Sequence, residues 1–374
     1  MSLNYLIIKP ATEAQAHEAI IREAGHWGAR AEVNVEQYLE LSTIFQQAVF
    51  AQDGKVKVWV LVPEDGPDTT SFFASCQVYT REVLTLEPGQ ILPSSSFGHA
   101  ITSVFVPPEH RGKGYAERFM SLLHSVLAPH QYPNHLKAPV VSDHPSIVSV
   151  LYSAVGDYYS RCVPSAGESG WSLQKSFITT WSLSSVEIPH GASPRVELMS
   201  DSDANITLDS DDPNVPADLL ALQKKDPTKT YFAFVPTAPL NAFSIIIGKL
   251  LLDRLQRPSN SPWGAKISGT KEFMVWVYYG LSELELVVTR LRATAGLFPV
   301  LLNAALQAAE DAKCDSIVAW NIPEHLKEIA RATGGETTER EDDLSAFKWY
   351  GQRPGMKVDN ADVIWALDEK YSWC

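Results

Sequence analysis

Residues 104–116, Val-Phe-Val-Pro-Pro-Glu-His-Arg-Gly-Lys-Gly-Tyr-Ala, carry the reading that decides the fold. A β-rich apolar run ends in Pro107-Pro108, which can neither continue a strand ladder nor sit deep inside a helix. Arg111, Gly112, Lys113 and Gly114 come next. Ala116, Phe119, Met120, Leu122, Leu123 and Val126 then recur at three and four residues, the spacing of a helix. A strand that turns through glycines into a helix aims free backbone N–H groups and the positive end of the helix dipole at one point. That point suits a phosphate, and glycine lets the backbone approach it closely.

The glycine spacing excludes two familiar phosphate sites. A Walker loop needs a wider glycine interval followed by Lys-Ser/Thr, and the chain has none. A dinucleotide fingerprint needs a third glycine where Glu117 or Arg118 stands. What remains is Arg111-x-x-Gly114-x-Ala116 behind a Val-x-Val-Pro strand end. This resembles motif A of the GCN5-related N-acetyltransferase (GNAT) superfamily, whose loop cradles the pyrophosphate of acetyl-CoA. The resemblance implies that Val104, Phe105, Val106, Arg111, Gly112, Lys113, Gly114, Tyr115 and Ala116 bind acetyl-CoA. It also implies that the backbone N–H of Phe105 or Val106 faces the thioester carbonyl as oxyanion donor.

The bulk numbers fit an enzyme of two domains: 374 residues, 45% hydrophobic, enough for two cores. A net charge of −13 argues against a nucleic-acid partner, which calls for a basic stripe, and is compatible with a cationic substrate. Cys76, Cys162, Cys314 and Cys374 lie far apart without metal-ligand spacing, so no metal is expected and the thiols read as unpaired in a reducing compartment. No apolar run is long enough for a signal peptide or a membrane span, so a cytoplasmic protein with no membrane partner is expected. Monomer and homodimer both stay open.

Around the loop, residues 12–24 and 35–48 read as helices joined by a loop at 25–30. In GNAT enzymes this wall borders the acceptor, which makes Trp27 and Arg30 candidate acceptor contacts. Strands are expected at about 55–62, 72–85, 97–106 and 146–153, then a short helix from Gly156 and a last strand near Gly170-Trp171. Many GNAT enzymes carry Phe-Tyr before a later Gly-Phe, with the tyrosine as general acid on the coenzyme thiolate. Tyr158-Tyr159 and Gly170-Trp171 match that pattern across an insertion, so Tyr159 is the candidate acid, with Tyr158 beside it. The two rings equally suit plain packing with their hydroxyls bonded.

The amine must lose a proton before it attacks, because a lysine ammonium has a pKa of about 10.4. In histone-type members a glutamate on the key strand takes that proton. His99 is the equivalent position here, and a water chain or a purely structural histidine are the alternatives.

Residues 184–216 are rich in Ser, Asp and Pro and read as a linker or crossover. Beyond it, strands at 263–268, 271–279 and 284–290, a helix at 297–312, a strand at 316–320, a helix at 323–332 and a strand at 345–350 repeat the element order of the first half. The expected fold is therefore α/β: two tandem GNAT-like lobes, each a mixed central sheet flanked by helices, the second degenerate. The segmentation is 1–183, a linker at 184–216, and 217–374. The second lobe's turn, Arg290-Leu-Arg-Ala-Thr-Ala-Gly296, lacks the coenzyme-loop spacing.

Over its whole length the chain resembles the fungal lysine N6-acetyltransferases of lysine catabolism, through the loop above and through Leu-Tyr-Ser-Ala-Val-Gly-Asp-Tyr-Tyr-Ser at 151–160. That implies transfer of the acetyl group from acetyl-CoA to a small cationic amine, L-lysine N6 first, by direct attack in a ternary complex. Trp276 or Tyr278 of the second lobe are further candidate acceptor contacts. A polyamine, an amino sugar or a protein lysine as acceptor, and a non-catalytic acyl-CoA-binding protein, are the alternatives.

Overall fold

The computed structural model describes residues 2–29, 33–130, 132, 144–188, 195–256, 261–280, 282–352 and 358–373, without the side chains of 238–242. Contacts divide the chain into two units. Unit 1 is Met1–Gln174, Val215–Val235 and Glu341–Ala366; unit 2 is Lys175–Asn214, Pro236–Arg340 and Leu367–Cys374.

Unit 1 begins with β1 (Leu6–Pro10), α1 (Glu13–Glu23), α2 (Val35–Gln47), β2 (Val56–Pro63), β3 (Ala74–Leu86) and β4 (Ser94–Phe105). It continues with α3 (Tyr115–Leu127), β5 (Val148–Ser153) and β6 (Ser172–Leu173). The chain then enters unit 2 with β7 (Phe177–Ser182), β8 (Val196–Met199) and α4 (Asp201–Asp211), and returns to unit 1 with α5 (Val215–Lys225) and β9 (Thr230–Phe234). Unit 2 resumes with α6 (Ala238–Arg254), β10 (Gly264–Ile267), β11 (Phe273–Tyr279), β12 (Glu285–Arg292) and α7 (Phe298–Asp311). After β13 (Ser316–Trp320), α8 (Lys327–Ala332) and β14 (Glu336–Glu339), unit 1 takes back β15 (Leu344–Trp349) and β16 (Val363–Trp365).

The two sheets follow one plan. In unit 1 the order is β1-β2-β3-β4-β5-β15-β6, with β9 on β3 and β16 on β9; in unit 2 it is β8-β10-β11-β12-β13-β7-β14. β1 to β4 and β8-β10-β11-β12 are antiparallel ladders. The step from β4 to β5, like that from β12 to β13, is parallel, and the next strand is antiparallel in both sheets.

The side chains explain the layering. Phe119, Met120, Leu122, Leu123 and Val126 of α3 are buried against Leu6, Ile8, Trp59, Leu61, Cys76, Val78 and Ile101 on one face of the unit 1 sheet. Each large apolar side chain so placed contributes about 1.5–3 kcal/mol. On the other face, Ala19 of α1 packs with Val60, Val62 and Phe72. α1 starts at a capping box in which Thr12 and Gln15 exchange hydrogen bonds, and α4 starts at another between Ser200 and Asp203. Among the described residues no helix is long and apolar enough to cross a membrane.

Three expectations need correction. Residues 184–216 are not all linker: β8 and α4 lie there, and the Ser/Asp richness belongs to an exposed, capped helix that buries only Ala204, Leu208 and Asp211. Residues 24–28 form a π-helical turn continuing α1 rather than a loop. The strand read at 345–350 exists as β15 but joins the first sheet, while β7, which falls inside the 1–183 segment, joins the second. The contacts therefore divide the chain differently from the segmentation at 183 and 217. Local periodicity reports that a strand forms and is silent on its neighbour.

Candidate active site

The centre of unit 1 is a break in its sheet. Along β3 and β4, Gln77 faces Thr102 and Ser75 faces Phe105, so Ser103 and Val104 together oppose Cys76 alone. This is a bulge, and Ser103 adopts φ 52°, a left-handed conformation uncommon outside glycine. β4 and β5 pair only from Gly98–Val148 to Ile101–Leu151, although β4 runs on to Phe105 and β5 to Ser153. Where paired strands part, backbone groups that a continued ladder would consume are released.

The phosphate loop lies just past that break. Gly112 (φ 73°) and Gly114 (φ 81°) take left-handed conformations. An added Cβ at Gly112 would meet nothing, so its requirement is conformational rather than steric. Gly114 caps α3 without a side-chain hydrogen bond, which leaves the helix end open to an anion. Arg111 Nε donates to the Val106 carbonyl at 3.1 Å and Lys113 Nζ to the Glu109 carbonyl at 2.7 Å, so the loop's own cations brace its backbone while staying exposed. Tyr115 is a core residue whose ring stacks on Phe73 at 4.6 Å; it offers the site its backbone, not its ring. Ala116 is half-buried on the first turn of the same helix. These residues fit a pyrophosphate: an uncapped helix end, two left-handed glycines and two cations.

Val104 and Val106 pack against the α3-side core, and the Arg111 guanidinium lies 5.8 Å from the centre of the Phe105 ring. His26 of the π-helical turn approaches the other side of this strand end, 6.1 Å from Phe105, and Trp27 meets His26 edge-on at 4.7 Å. The turn thus holds Trp27 beside the end of β4, while Arg30 lies outside the described residues.

Tyr158 and Tyr159 follow β5 on a 3-10 turn, Tyr158–Arg161. They diverge in role. Tyr158 packs under the Arg161 guanidinium at 4.0 Å and takes a backbone hydrogen bond from Glu117 on the first turn of α3. The Tyr159 ring meets Trp171 edge-on, and its hydroxyl is enclosed deeply enough that burial pushes the phenol well above its ordinary pKa, with Cys162 and then Cys76 adding to the rise. Tyr159 packs against the same core cluster as Cys76, the residue that faces the bulge. A phenol kept protonated there is a proton donor.

His99 goes elsewhere. It pairs with Ser149 in the intact part of the β4–β5 ladder, four positions before Ser103, about 13 Å along the strand. Its ring lies in a small cavity lined by Lys57, Trp59, Val78, Thr80, Leu127 and His144, on the α3 face. Burial, and then the nearby His144 and Lys57 charges, push its pKa down to about 3. Such a group is a poor proton acceptor at neutral pH. Trp276 and Tyr278 are fully buried in unit 2, and both bond the Pro262 carbonyl, at 2.8 and 2.7 Å.

The residue that sequence reasoning missed is Glu23, the last of α1. It is fully buried, accepts a hydrogen bond from Gln77 Nε2 on Oε2 at 3.3 Å, and leaves Oε1 without a partner of good geometry. Burial pushes its carboxyl up to about 8, pulled back in part by hydrogen bonding with Gln77, Ser103 and Tyr38. Ser103 is the bulge residue, so this carboxyl borders the bulge on the sheet face that carries α1. The signal available in the sequence was a glutamate on the apolar side of an amphipathic helix, which ordinary surface charge does not explain.

Residues 180–374, just over half the chain, match the family model described as "LYC1 GNAT-like C-terminal domain". The chain belongs to this LYC1-like GNAT family. A curated relative, a lysine acetyltransferase from Yarrowia lipolytica, is 32% identical over 142 residues, 36% of this chain and 34% of that protein. The match therefore spans about a third of the relative's length. A solved GCN5-related N-acetyltransferase from Kribbella flavida superposes with a TM-score of 0.50 at 14% identity, over 92% of this chain and 72% of that one. A probable N-acyltransferase from Enterococcus faecalis V583 gives 0.54 at 10% identity over the same shares. These likenesses carry the fold: two GNAT-like lobes.

In this LYC1-like chain, unit 2 repeats the break and then closes it. β12 bulges where Val275 faces Arg290 and Trp276 faces Val288, leaving Thr289 unmatched. The ladder with β13 ends at Val288–Ala319 while β12 runs on to Arg292. Past that point Glu369 Oε2 accepts the Leu291 backbone N–H at 2.8 Å, and its other oxygen pairs with Arg290. Asp211 bonds Arg290 at 2.9 Å and Arg292 at 2.5 Å. Burial alone would raise the Asp211 pKa; the Arg290 and Arg292 charges outweigh it and hold the carboxyl low. α7 begins at Phe298, capped by Leu297 and without a left-handed glycine before it. The degenerate lobe's own side chains thus fill the released strand end.

Proposed function

We propose that this protein is an acetyl-CoA-dependent N-acetyltransferase acting in the cytoplasm on the primary amine of a small cationic acceptor, with L-lysine N6 as the leading candidate. The reaction is R–NH3+ plus acetyl-CoA giving R–NH–CO–CH3, free coenzyme thiol and one proton. The observation that carries the reading is adjacency. The open end of α3 with Gly112 and Gly114 follows directly on the released end of β4, and Tyr159 packs on the core cluster that also takes Val104 and Val106 of that strand end.

In this reading the loop N–H groups and Arg111 hold the pyrophosphate, and a backbone N–H at Phe105 or Val106 bonds the thioester carbonyl as negative charge develops on it. Acetyl-CoA supplies an activated acyl group, and direct attack by the amine exchanges the C–S bond for a C–N bond. Tyr159 delivers a proton to the departing sulfur. Support for lysine comes from the similarity to a lysine acetyltransferase and from the excess of acidic residues, 44 against 31 basic.

The test is thiol release from acetyl-CoA against free lysine, ornithine, spermidine, glucosamine and a histone-tail peptide. Turnover with lysine alone supports the proposal in full. Turnover with another amine retains the reaction and replaces the acceptor; no turnover with any of them, while calorimetry records acetyl-CoA binding, leaves a non-catalytic acyl-CoA-binding protein.

A further inference from the structure

Two helices of the chain end at the same structural place. α1 and α4 each have eleven residues, each opens with a capping box, and each follows the first strand of its sheet path. Glu23 is the last residue of one and Asp211 the last of the other. Each carboxyl borders the bulge of its unit's fourth path strand, Ser103 in β4 and Thr289 in β12. Asp211 meets cations of its own chain there, Arg290 and Arg292.

Glu23 does not. The groups that act on it are Gln77 of β3, Ser103 of β4 and Tyr38 of α2, and the charge of Glu23 is felt by Cys76 of β3. None is cationic. Arg22, its sequence neighbour, is committed to Glu18 and to the carbonyls of Thr70 and Phe72. A buried carboxyl with one oxygen lacking a partner of good geometry is unfavourable for folding unless something else uses it. Tyr38, Gln77 and Ser103, the groups that act on it, are themselves only half-buried.

We infer that Glu23 is the docking group for the acceptor's ammonium nitrogen and takes a proton from it. Unit 2 supplies internal arginines at this position, and among the described residues of unit 1 no cation pairs with Glu23. One proton passes from R–NH3+ to Oε1, leaving a neutral amine with a free lone pair and a neutral carboxylic acid. The amine nitrogen forms the new C–N bond as C–S breaks, its surplus proton goes to the thiolate through Tyr159, and Glu23 later returns its proton to water. Glu23 enters the exchange as the carboxylate, having given its own proton to water as pH rises through about 8. This role rests on the acetyl-transfer reading for its chemistry, but not for ammonium binding.

The experiment compares wild type with Glu23→Gln and Glu23→Asp. Calorimetry of L-lysine binding to the CoA-loaded full chain is run beside steady-state kinetics from pH 6 to pH 10, about four decades of proton activity. Glu23→Gln should weaken lysine and raise its KM by about tenfold or more, while affinity for acetyl-CoA, the check on folding, stays within about twofold. The acid limb of kcat/KM, near 8 in wild type, should move toward the free amine's own pKa in Glu23→Gln. Glu23→Asp should recover part of the loss.

Unchanged lysine affinity and an unmoved acid limb in Glu23→Gln, with turnover intact, overturn the inference and leave the acetyltransferase reading standing. Lysine binding that depends on Glu23 in a protein without turnover does the reverse: the docking site stands and the proposed reaction fails. A wild type that neither binds nor acetylates lysine is carried through the same comparison with whichever amine of the panel it acetylates. If it acetylates none, both ideas fall.

Discussion

Glu23 and Asp211 end helices of equal length in the two units; the first has only neutral polar partners among the described residues and the second is clasped by two arginines. The same position therefore has opposite consequences for stability. Glu23 has its pKa raised from 4.5 to about 8, so folding favours its protonated form. Its contribution is complete below pH 4.5 and drains away as pH rises to about 8, on the order of 5 kcal/mol in all. Glu23→Gln should flatten that decline, so that the variant matches wild type in urea at pH 5 and exceeds it at pH 8.5, outside the raised pKa of about 8. Equal midpoints at both values would show that Glu23 is not protonated in the folded chain.

Asp211→Asn should act in the other direction. It removes the carboxylate that Arg290 and Arg292 share, inside a buried cluster. Breaking such a cluster from one side costs about 3–5 kcal/mol. Urea unfolding followed by tryptophan fluorescence measures this, because Trp181, Trp263, Trp276 and Trp320 all lie in unit 2.

The tyrosines separate by function. Tyr159→Phe should lower kcat by about a hundredfold, the order of a general-acid contribution, with acetyl-CoA affinity unchanged. Tyr158→Phe loses a hydrogen bond to the first turn of α3 and should show its smaller effect in acetyl-CoA affinity instead. Equal, small effects of both on kcat would remove Tyr159 from the chemistry.

Gly112→Ala probes the phosphate loop by conformation alone, since no atom stands where the new Cβ would be. At φ 73° the methyl costs about 1–2 kcal/mol, and a loop that relaxes to avoid it should bind acetyl-CoA about tenfold more weakly. Calorimetry with acetyl-CoA reads this directly, without an acceptor present.

His99 and His124 set the acid limit of unit 1. Burial lowers both from 6.5 to about 3, so the unfolded chain binds more protons than the folded one between those values. Their contribution is whole above pH 6.5 and is lost as pH falls toward 3. His99→Gln should soften the acid unfolding transition and leave the pH dependence of turnover above pH 6 as in wild type, about three units clear of the folded-state pKa. A displaced acid limb of turnover would restore His99 as a proton acceptor.

Much of this was legible in the chain. The coenzyme loop and α3 were written in Pro107-Pro108, Gly112, Gly114 and a clean helical period, because each residue type there answers a local backbone demand. The second lobe was legible as a repeat of element order, and the structure gives it the same strand path. Glu23 was not legible, because its meaning depends on Ser103 and Gln77, which come from other strands. Nor was the fate of β7 and β15, since neither carries a mark of which sheet will accept it. His99 shows the opposite hazard: its sequence distance from the loop was right for a base, but its place in the intact part of the ladder buries it on the face that carries α3.

The seating of β15 on β5 has a consequence in time. Val148–Ser153 finds its antiparallel neighbour only when Leu344–Trp349 has been made, 196 residues after Ser153. At ribosomal speeds of about 5–20 residues per second, that is roughly 10–40 s during which the nascent active lobe exposes an unfinished sheet edge. Synthesis rate, chaperone supply and premature termination thus bear on the lobe that comes first, and a nascent chain stalled after residue 183 presents that edge to its neighbours on the polysome.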